Sequence, residues 1–511
     1  MQDLRPVLVP RLDCQGFVVG SPAFNWSSKV ILMNMEKTMR NLARNHFSVF
    51  FEPESLAIVG SFKENFFGGY VVIKSLLEAG YSGRIYPVNP HTKEVQGLEV
   101  FSSLKDIPDK LDLVLVMINA RSVSQVIREC GEIGIRGVVV IADGFAERNG
   151  EGARLQEELV GIAGQYGIRM MGPNTAGILN AYNGLNPAPY EAGYYRLKKG
   201  PVAIVSQTGM INPQAVPYPD LPYGVSKICD LGNKSDLDEC DILEYLAEDS
   251  QTGVISMYLE SIRDGQRFIR ACKAATLKKP VLVVKAGRTG AGARATASHT
   301  GSLAVDDKIF NAACRQGGML RLDKFNEIFE LPKIFAMQPL PKGNRLGILS
   351  ITGGVAVMCI DKGAEYGLEL AGLSADTAAV LEKIFPGVGK MPVDIGPMMA
   401  AVDDAFSLYP RILEKVISDD HVDSLLNIIW ANPSGNIIEN YMKSYEILKD
   451  RKEKPLVTWV YGPDKRVTFD VSKRLEDMGF PVFTEPETCV KALGLAFQYS
   501  RNRSTIERIS S

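Results

Sequence analysis

The chain is short of histidine, with four in 511 residues, so each can be weighed by itself. Its eight cysteines (Cys14, Cys130, Cys229, Cys240, Cys272, Cys314, Cys359 and Cys489) are scattered and form no C-x-x-C pair. That spacing argues against a zinc site and against a disulfide framework, and predicts buried free thiols in a reducing compartment. No apolar run approaches the roughly 20 residues that cross a bilayer. No basic stretch followed by an apolar run opens the chain, so no secretory leader is expected and the location is read as cytoplasmic. Charge of neither sign dominates: 57 Lys and Arg against 59 Asp and Glu leave a net charge of −2. A nucleic-acid or anionic-membrane surface would need a concentrated basic patch, and none is seen.

What is present is the make-up of a soluble globular protein, 46% hydrophobic. At roughly 150 residues per domain, three or four domains are expected. Residues 1–50 form an extension of mixed character, with helical spacing over 34–51 (Met35, Met39, Leu42, Phe47). From Ser55 onward, short β-branched runs alternate with amphipathic stretches. That alternation predicts βα units around parallel sheets. The runs Leu56–Val59, Arg84–Val88, Leu113–Val116, Gly137–Ile141 and Arg169–Met171 place a Rossmann-like domain at 51–182. A second α/β series, starting at Val202–Val205, spans 195–336. A linker with two prolines and a glycine follows (Pro339, Pro341, Gly343), and a third series spans 343–503.

Five segments carry residues suited to chemistry. Gly60-Ser61 after the first strand, with Gly68-Gly69 before a helix, lets backbone N–H groups approach a phosphate. The same strand-Gly-helix turn occurs where nothing binds. Gly172-Pro173-Asn174 reads as a tight turn. Ser206-Gln207-Thr208-Gly209 follows a strand directly and suits either a phosphate cradle or a helix N-cap. Glu260 ends an apolar strand, where a carboxylate can orient an imidazole. Finally, Ser298-His299-Thr300-Gly301 follows the small-residue stretch 290–296, read as a loop able to wrap a ligand. A histidine among hydroxyl and backbone donors suits a nucleophile that takes up a phosphoryl group, and equally a surface loop. His46, His91 and His421 have no comparable setting.

In order and spacing these segments resemble the α subunit of ADP-forming acetyl-CoA synthetases and, more distantly, of succinyl-CoA synthetase. The matching stretches include Ala57-Ile58-Val59-Gly60-Ser61, Gly83 to Pro90, Gly172-Pro173-Asn174, Gly232-Asn233-Lys234-Ser235-Asp236, Tyr258-Leu259-Glu260 and Ser298 to Leu303. The resemblance implies an α/β architecture, with an N-terminal CoA-binding Rossmann-like domain followed by two flavodoxin-like ligase domains. It implies that His299 is a transient phosphohistidine and Glu260 its partner carboxylate. It further implies phosphate binding by Ser206, Gln207, Thr208, Gly209, Ser298, Thr300 and Gly301, and CoA binding by Gly60, Ser61, Gly68, Asn89, Pro90, Asn119 and Asn174.

Coenzyme A, acyl-CoA and phosphate would be substrates, and no metal is expected on this chain. ADP or ATP with Mg²⁺ would bind an ATP-grasp β subunit, a separate chain, in an α₂β₂ assembly built on a homodimer of this one. The sequence departs from the family pattern in places. Pro213, Pro217, Pro219 and Pro222 follow Gly209 and predict a short or reshaped helix there. Thr175 stands where cysteine is usual, Asp143 where a small residue is usual, Asn119-Ala120 where a proline is expected, and Met391-Pro392-Val393-Asp394 where Asn-Pro-Val-Asp is usual. A CoA or acyl-CoA sensor without catalysis is the alternative reading. A dinucleotide-dependent enzyme is disfavoured by the incomplete G-x-G-x-x-G.

Overall fold

The computed structural model describes residues 47–300, 305–433 and 436–510, except for the side chains of 297–300 and 509–510. The extension 1–50 and its helical spacing thus fall almost wholly outside the described residues, which begin with a helical stretch at 47–51. Of the cysteines, Cys14 lies outside them; the other seven are buried and unpaired.

The first sheet contains β1 (Ser55–Gly60), β2 (Arg84–Val88), β5 (Leu113–Met117), β6 (Gly137–Val140) and β7 (Arg169–Met171). All are parallel, in the order β2-β1-β5-β6-β7. A small hairpin, β3 (Glu94–Val95) and β4 (Leu98–Glu99), stands beside it. The strands are unbroken apolar runs because helices cover both faces of a parallel sheet, and the Gly137–Val140 strand is buried throughout. The helix Ala120–Glu132 turns Val123, Val126, Ile127 and Cys130 inward, the 3–4 residue spacing of one helix face. Each large apolar side chain so buried contributes about 1.5–3 kcal/mol. Asn119, standing where a proline was expected, caps this helix by accepting the Arg121 N–H at 3.1 Å.

The second sheet contains β8 (Ile178–Asn180), β9 (Lys199–Ser206), β10 (Val225–Asp230), β11 (Val254–Leu259), β12 (Val281–Lys285) and β13 (Leu320–Arg321). Its order is β13-β12-β11-β9-β10-β8, with β8 antiparallel to β10 and the other pairs parallel. The third contains β14 (Arg345–Ser350), β15 (Glu369–Leu370), β16 (Val393–Asp394), β17 (Ser424–Trp430), β18 (Leu456–Tyr461) and β19 (Val482–Phe483). Its order is β15-β14-β17-β18-β19, with β16 beside β14.

The sheets are joined by shared cores and by buried or half-buried polar contacts. Leu56 and Leu113 of the first sheet share a cluster with Val205 and Leu259 of the second. The Asp236 carboxylate accepts the Met170 N–H at 2.7 Å and the Arg169 Nε–H at 3.0 Å. Sheets two and three share a cluster that takes in Leu493 of the C-terminal helix Pro486–Ser510. On that helix, buried Lys491 donates to Glu327 and Asp323, each at 2.8 Å.

Strand order reverses between β1 and β5, and again between β9 and β11. Such reversals open a crevice outside the carboxyl ends of the strands. Here that edge carries Gly60 and Met117 in one sheet, and Ser206 and Leu259 in the other.

Candidate functional site

A cleft of about 1780 Å³ runs from the carboxyl edge of the first sheet to that of the second. All seven residues expected to meet CoA line it: Gly60, Ser61, Gly68, Asn89, Pro90, Asn119 and Asn174. Of the residues expected to meet phosphate, Gln207, Thr208 and Gly209 line the same cleft. At the first-sheet end, Asn89 Nδ2 donates to the Gly60 carbonyl at 2.7 Å and ties the β1 and β2 turns together. The helix Gly69–Ala79 begins at the cleft with no acidic residue in its first turn and no side-chain cap. Its free N–H groups therefore offer partial positive charge. Lys63, Arg121 and Arg148 add basic groups to the wall.

Two interlocked loops form the middle of the site. The Asn233 N–H donates to the Pro173 carbonyl at 2.9 Å, and the Ser235 hydroxyl to the Gly172 carbonyl at 2.9 Å. Gly232 has φ +55°, and a Cβ there would meet the Pro173 oxygen at 2.3 Å, so only glycine fits. Lys234 is buried and donates to Glu239 at 2.8 Å and to the Ser261 carbonyl at 2.7 Å. The Gly-Asn-Lys-Ser-Asp stretch is thus a clasp that holds the Gly172–Ala176 turn against the ends of β10 and β11.

At the second-sheet end, Gln207 is buried and its Oε1 accepts the Glu260 N–H at 2.7 Å and the Ser261 N–H at 2.9 Å. Glu260 is buried behind this turn, with the Tyr258 hydroxyl 3.3 Å from Oε1. Neither Glu260 nor Ser206 reaches the cleft wall; Ser206 Oγ instead accepts the Thr208 N–H at 2.9 Å. Only two 3₁₀ turns stand between Thr208 and β10, as the proline content predicts: Tyr218–Asp220 and, directly after Thr208, Gly209–Ile211. The Tyr194 and Tyr218 hydroxyls hold it by donating to the Pro213 carbonyl at 2.7 Å and the Ile211 carbonyl at 2.6 Å.

The stretch 290–296, expected to be a loop, is helical: the helix Gly290–Thr300 starts where Thr289 Oγ1 accepts the Gly292 N–H at 3.1 Å. Alternating alanines give it the propensity, since alanine is the best helix former. The backbone of Ser298, His299 and Thr300 belongs to the last turn of this helix, while their side chains, and Gly301 altogether, lie outside the described residues. The expected pairing of Glu260 with His299 therefore involves a side chain outside them.

One residue of the cleft escaped the sequence reading. Asp230 ends β10, is 3% exposed and lines the cleft. Its carboxylate accepts the Ala176 N–H at 2.6 Å and the Gly232 N–H at 3.2 Å. Burial pushes it up to about 6, with nearby Glu260 adding to the rise, although the Ala176 and Gly232 N–H groups and the Thr175 hydroxyl pull it down. The available signal was the one used for Glu260, a carboxylate at the end of an apolar strand. Asp238, Glu239 and Cys240 also bring possible metal ligands together. Two of them are already engaged, Asp238 as a helix cap and Glu239 with Lys234.

Residues 54–181 match the family model of the CoA binding domain, and residues 199–335 that of the succinyl-CoA ligase like flavodoxin domain. The α subunit of acetate–CoA ligase [ADP-forming] II of Pyrococcus furiosus is 37% identical over 89% of this chain and 98% of that protein. Acetate–CoA ligase [ADP-forming] II of Archaeoglobus fulgidus is 36% identical over 89% of this chain, which spans 67% of that longer protein. Among solved structures, a dinucleotide-forming acetyl-coenzyme A synthetase 1 of Candidatus Korarchaeum cryptofilum, in complex with phosphate and ADP, superposes with a TM-score of 0.81 at 30% identity, over 92% of this chain and 99% of that one. The chain belongs to the family of ADP-forming acetate–CoA ligases and matches the α subunit of that family over nearly the whole length of the subunit.

Proposed function

We propose that this chain is the α subunit of an acid–CoA ligase that interconverts acyl-CoA, phosphate and ADP with carboxylic acid, CoA and ATP. Phosphate attacks the thioester carbonyl, and CoA leaves as an acyl phosphate forms. His299 then takes the phosphoryl group, releasing the carboxylate, and later passes it to ADP. Glu260 orients the imidazole and stabilises its phosphorylated form. The observation that carries this reading is the single cleft that joins the CoA-side turns to the Gln207-Thr208-Gly209 turn, with Glu260 hydrogen-bonded directly behind it.

CoA lies along Gly60, Ser61, Gly68, Asn89, Pro90, Asn119 and Asn174. Phosphate lies at Gln207, Thr208 and Gly209, with Ser206 bracing that turn from behind, and at Ser298, Thr300 and Gly301. The three domains are 51–182, 195–336 and 343–503. ADP, ATP and Mg²⁺ bind an ATP-grasp β subunit in an α₂β₂ assembly in the cytoplasm. The separately named α subunit of Pyrococcus furiosus supports a partner chain, and the longer Archaeoglobus fulgidus relative supports the alternative of a joined arrangement. Among the described residues no helix is long and apolar enough to cross a membrane.

The test incubates the purified chain with acetyl phosphate, or with acetyl-CoA and phosphate, beside His299→Ala. An acid-labile gain of one phosphate, absent from the variant, is the expected result. CoA binding without phosphate uptake from any acyl donor would replace this reading with a non-catalytic CoA sensor.

A further inference from the structure

Asp230 is the buried carboxylate of the cleft. Asp143 and Glu151 also line it but are exposed, and Glu151 is paired with Arg121 at 2.9 Å. Asp230 stands at the second-sheet end, beside the Gln207-Thr208-Gly209 turn: its Oδ2 is 3.9 Å from where a Cβ on Gly209 would stand. Glu260, from the end of β11, is the titratable group that acts on it, and Asp230 in turn raises the Tyr190 hydroxyl, which also lines the cleft. Among the described residues no cation pairs with it. Two backbone N–H groups hold the carboxylate in place.

On the proposed function, the phosphates of CoA lie at the first-sheet end, so its thiol reaches the second-sheet end, where the acyl phosphate forms. We propose that Asp230 is the proton acceptor for the CoA thiol in thioester formation. As the thiol sulfur attacks the acyl phosphate carbonyl carbon, the S–H proton passes to an Asp230 carboxylate oxygen. The bond between that carbon and the phosphate oxygen breaks, and inorganic phosphate leaves with the bonding pair. In reverse, the protonated Asp230 returns the proton to the departing thiolate. A carboxyl held near 6 by burial is ionised at neutral pH and is a stronger base than an exposed aspartate, as proton transfer from a thiol requires.

This rests on the proposed function, and the two separate by experiment because one substrate feeds both half-reactions. Acetyl phosphate alone phosphorylates His299 with no thiol proton to move. Acetyl phosphate with CoA gives acetyl-CoA and phosphate without passing through His299. The full-length chain and Asp230→Ser are compared in both, with thermal unfolding measured alongside. The expected result is a loss of about 100-fold or more in acetyl-CoA formation, the typical scale for removing a general base, with His299 labelling within about threefold of the unaltered chain. Acetyl-CoA formation by the unaltered chain should fall as pH drops through about 6. That measurement holds even if the variant fails to fold.

Acetyl-CoA formation at full rate in Asp230→Ser overturns the assignment. So does an equal loss in both half-reactions, or a profile in the unaltered chain with no inflection near pH 6. If the unaltered chain carries out neither half-reaction, the proposed function itself fails.

Discussion

Gln207 Oε1 accepts the backbone N–H of Glu260 at 2.7 Å, joining the turn after β9 to the end of β11 across the point where strand order reverses. The same oxygen accepts the Ser261 N–H at 2.9 Å, and Gln207 Nε2 donates to the Ser261 hydroxyl at 3.2 Å. One buried amide thus sets both the cleft-facing turn and the carboxylate behind it.

Gln207→Ala leaves those two buried N–H groups without an acceptor, at about 1–3 kcal/mol each. The variant should unfold at lower urea and label His299 more slowly from acetyl phosphate. Gln207→Glu keeps the acceptor oxygen but adds a buried carboxylate beside Glu260, so it should recover stability as pH falls and lose it as pH rises. If Gln207→Ala unfolds at the same urea concentration as the unaltered chain, the amide does not hold the site together.

Gly232→Ala places a Cβ 2.3 Å from the Pro173 oxygen on a backbone with φ +55°. The left-handed conformation alone costs about 1–2 kcal/mol for an L-residue, and the clash adds to it. The clasp should loosen, so both the melting temperature and CoA affinity by calorimetry should fall. Gly265→Ala, where a Cβ meets nothing within 4 Å, is the control that should change neither.

Lys234 and Glu239 form a buried ion pair at 2.8 Å, with 2% and 0% side-chain exposure. Removing one partner strands the other charge, at about 3–5 kcal/mol. Lys234→Met should therefore destabilise strongly in a chemical denaturation curve, whereas Lys234→Met with Glu239→Leu should recover much of the loss. A double variant as unstable as the two single losses added together would refute the coupling.

Stability should depend on pH through Asp230. Its folded carboxyl, raised from 3.8 to about 6, holds a proton between those values that the unfolded chain has already lost. Its contribution therefore favours folding fully below about 4, declines as pH rises through about 6, and amounts to about 3 kcal/mol. Comparing unfolding free energies of the unaltered chain and Asp230→Ser across this range checks the sign. The difference should shift in favour of the variant as pH rises.

Several features were set by the sequence alone. Runs such as Gly137-Val138-Val139-Val140 can be buried only between two layers, so parallel α/β sheets were readable from local composition. The prolines after Gly209 forbid a long helix there, and only 3₁₀ turns form. The turns lining the cleft were readable only together, because each alone also suits an ordinary turn or a helix cap, and it is their order and spacing that match the family.

Tertiary structure decided the rest. It placed turns more than a hundred residues apart, Gly60-Ser61 and Gln207-Thr208-Gly209, on one cleft. It made helix out of 290–296, where small residues suggested a loop but alanine propensity prevailed. It also separated Asp230 and Glu260, two carboxylates at strand ends that read alike. Strand order put Asp230 in the cleft wall and Glu260 behind it, and the order of strands in a sheet depends on packing between distant segments, which no local pattern encodes.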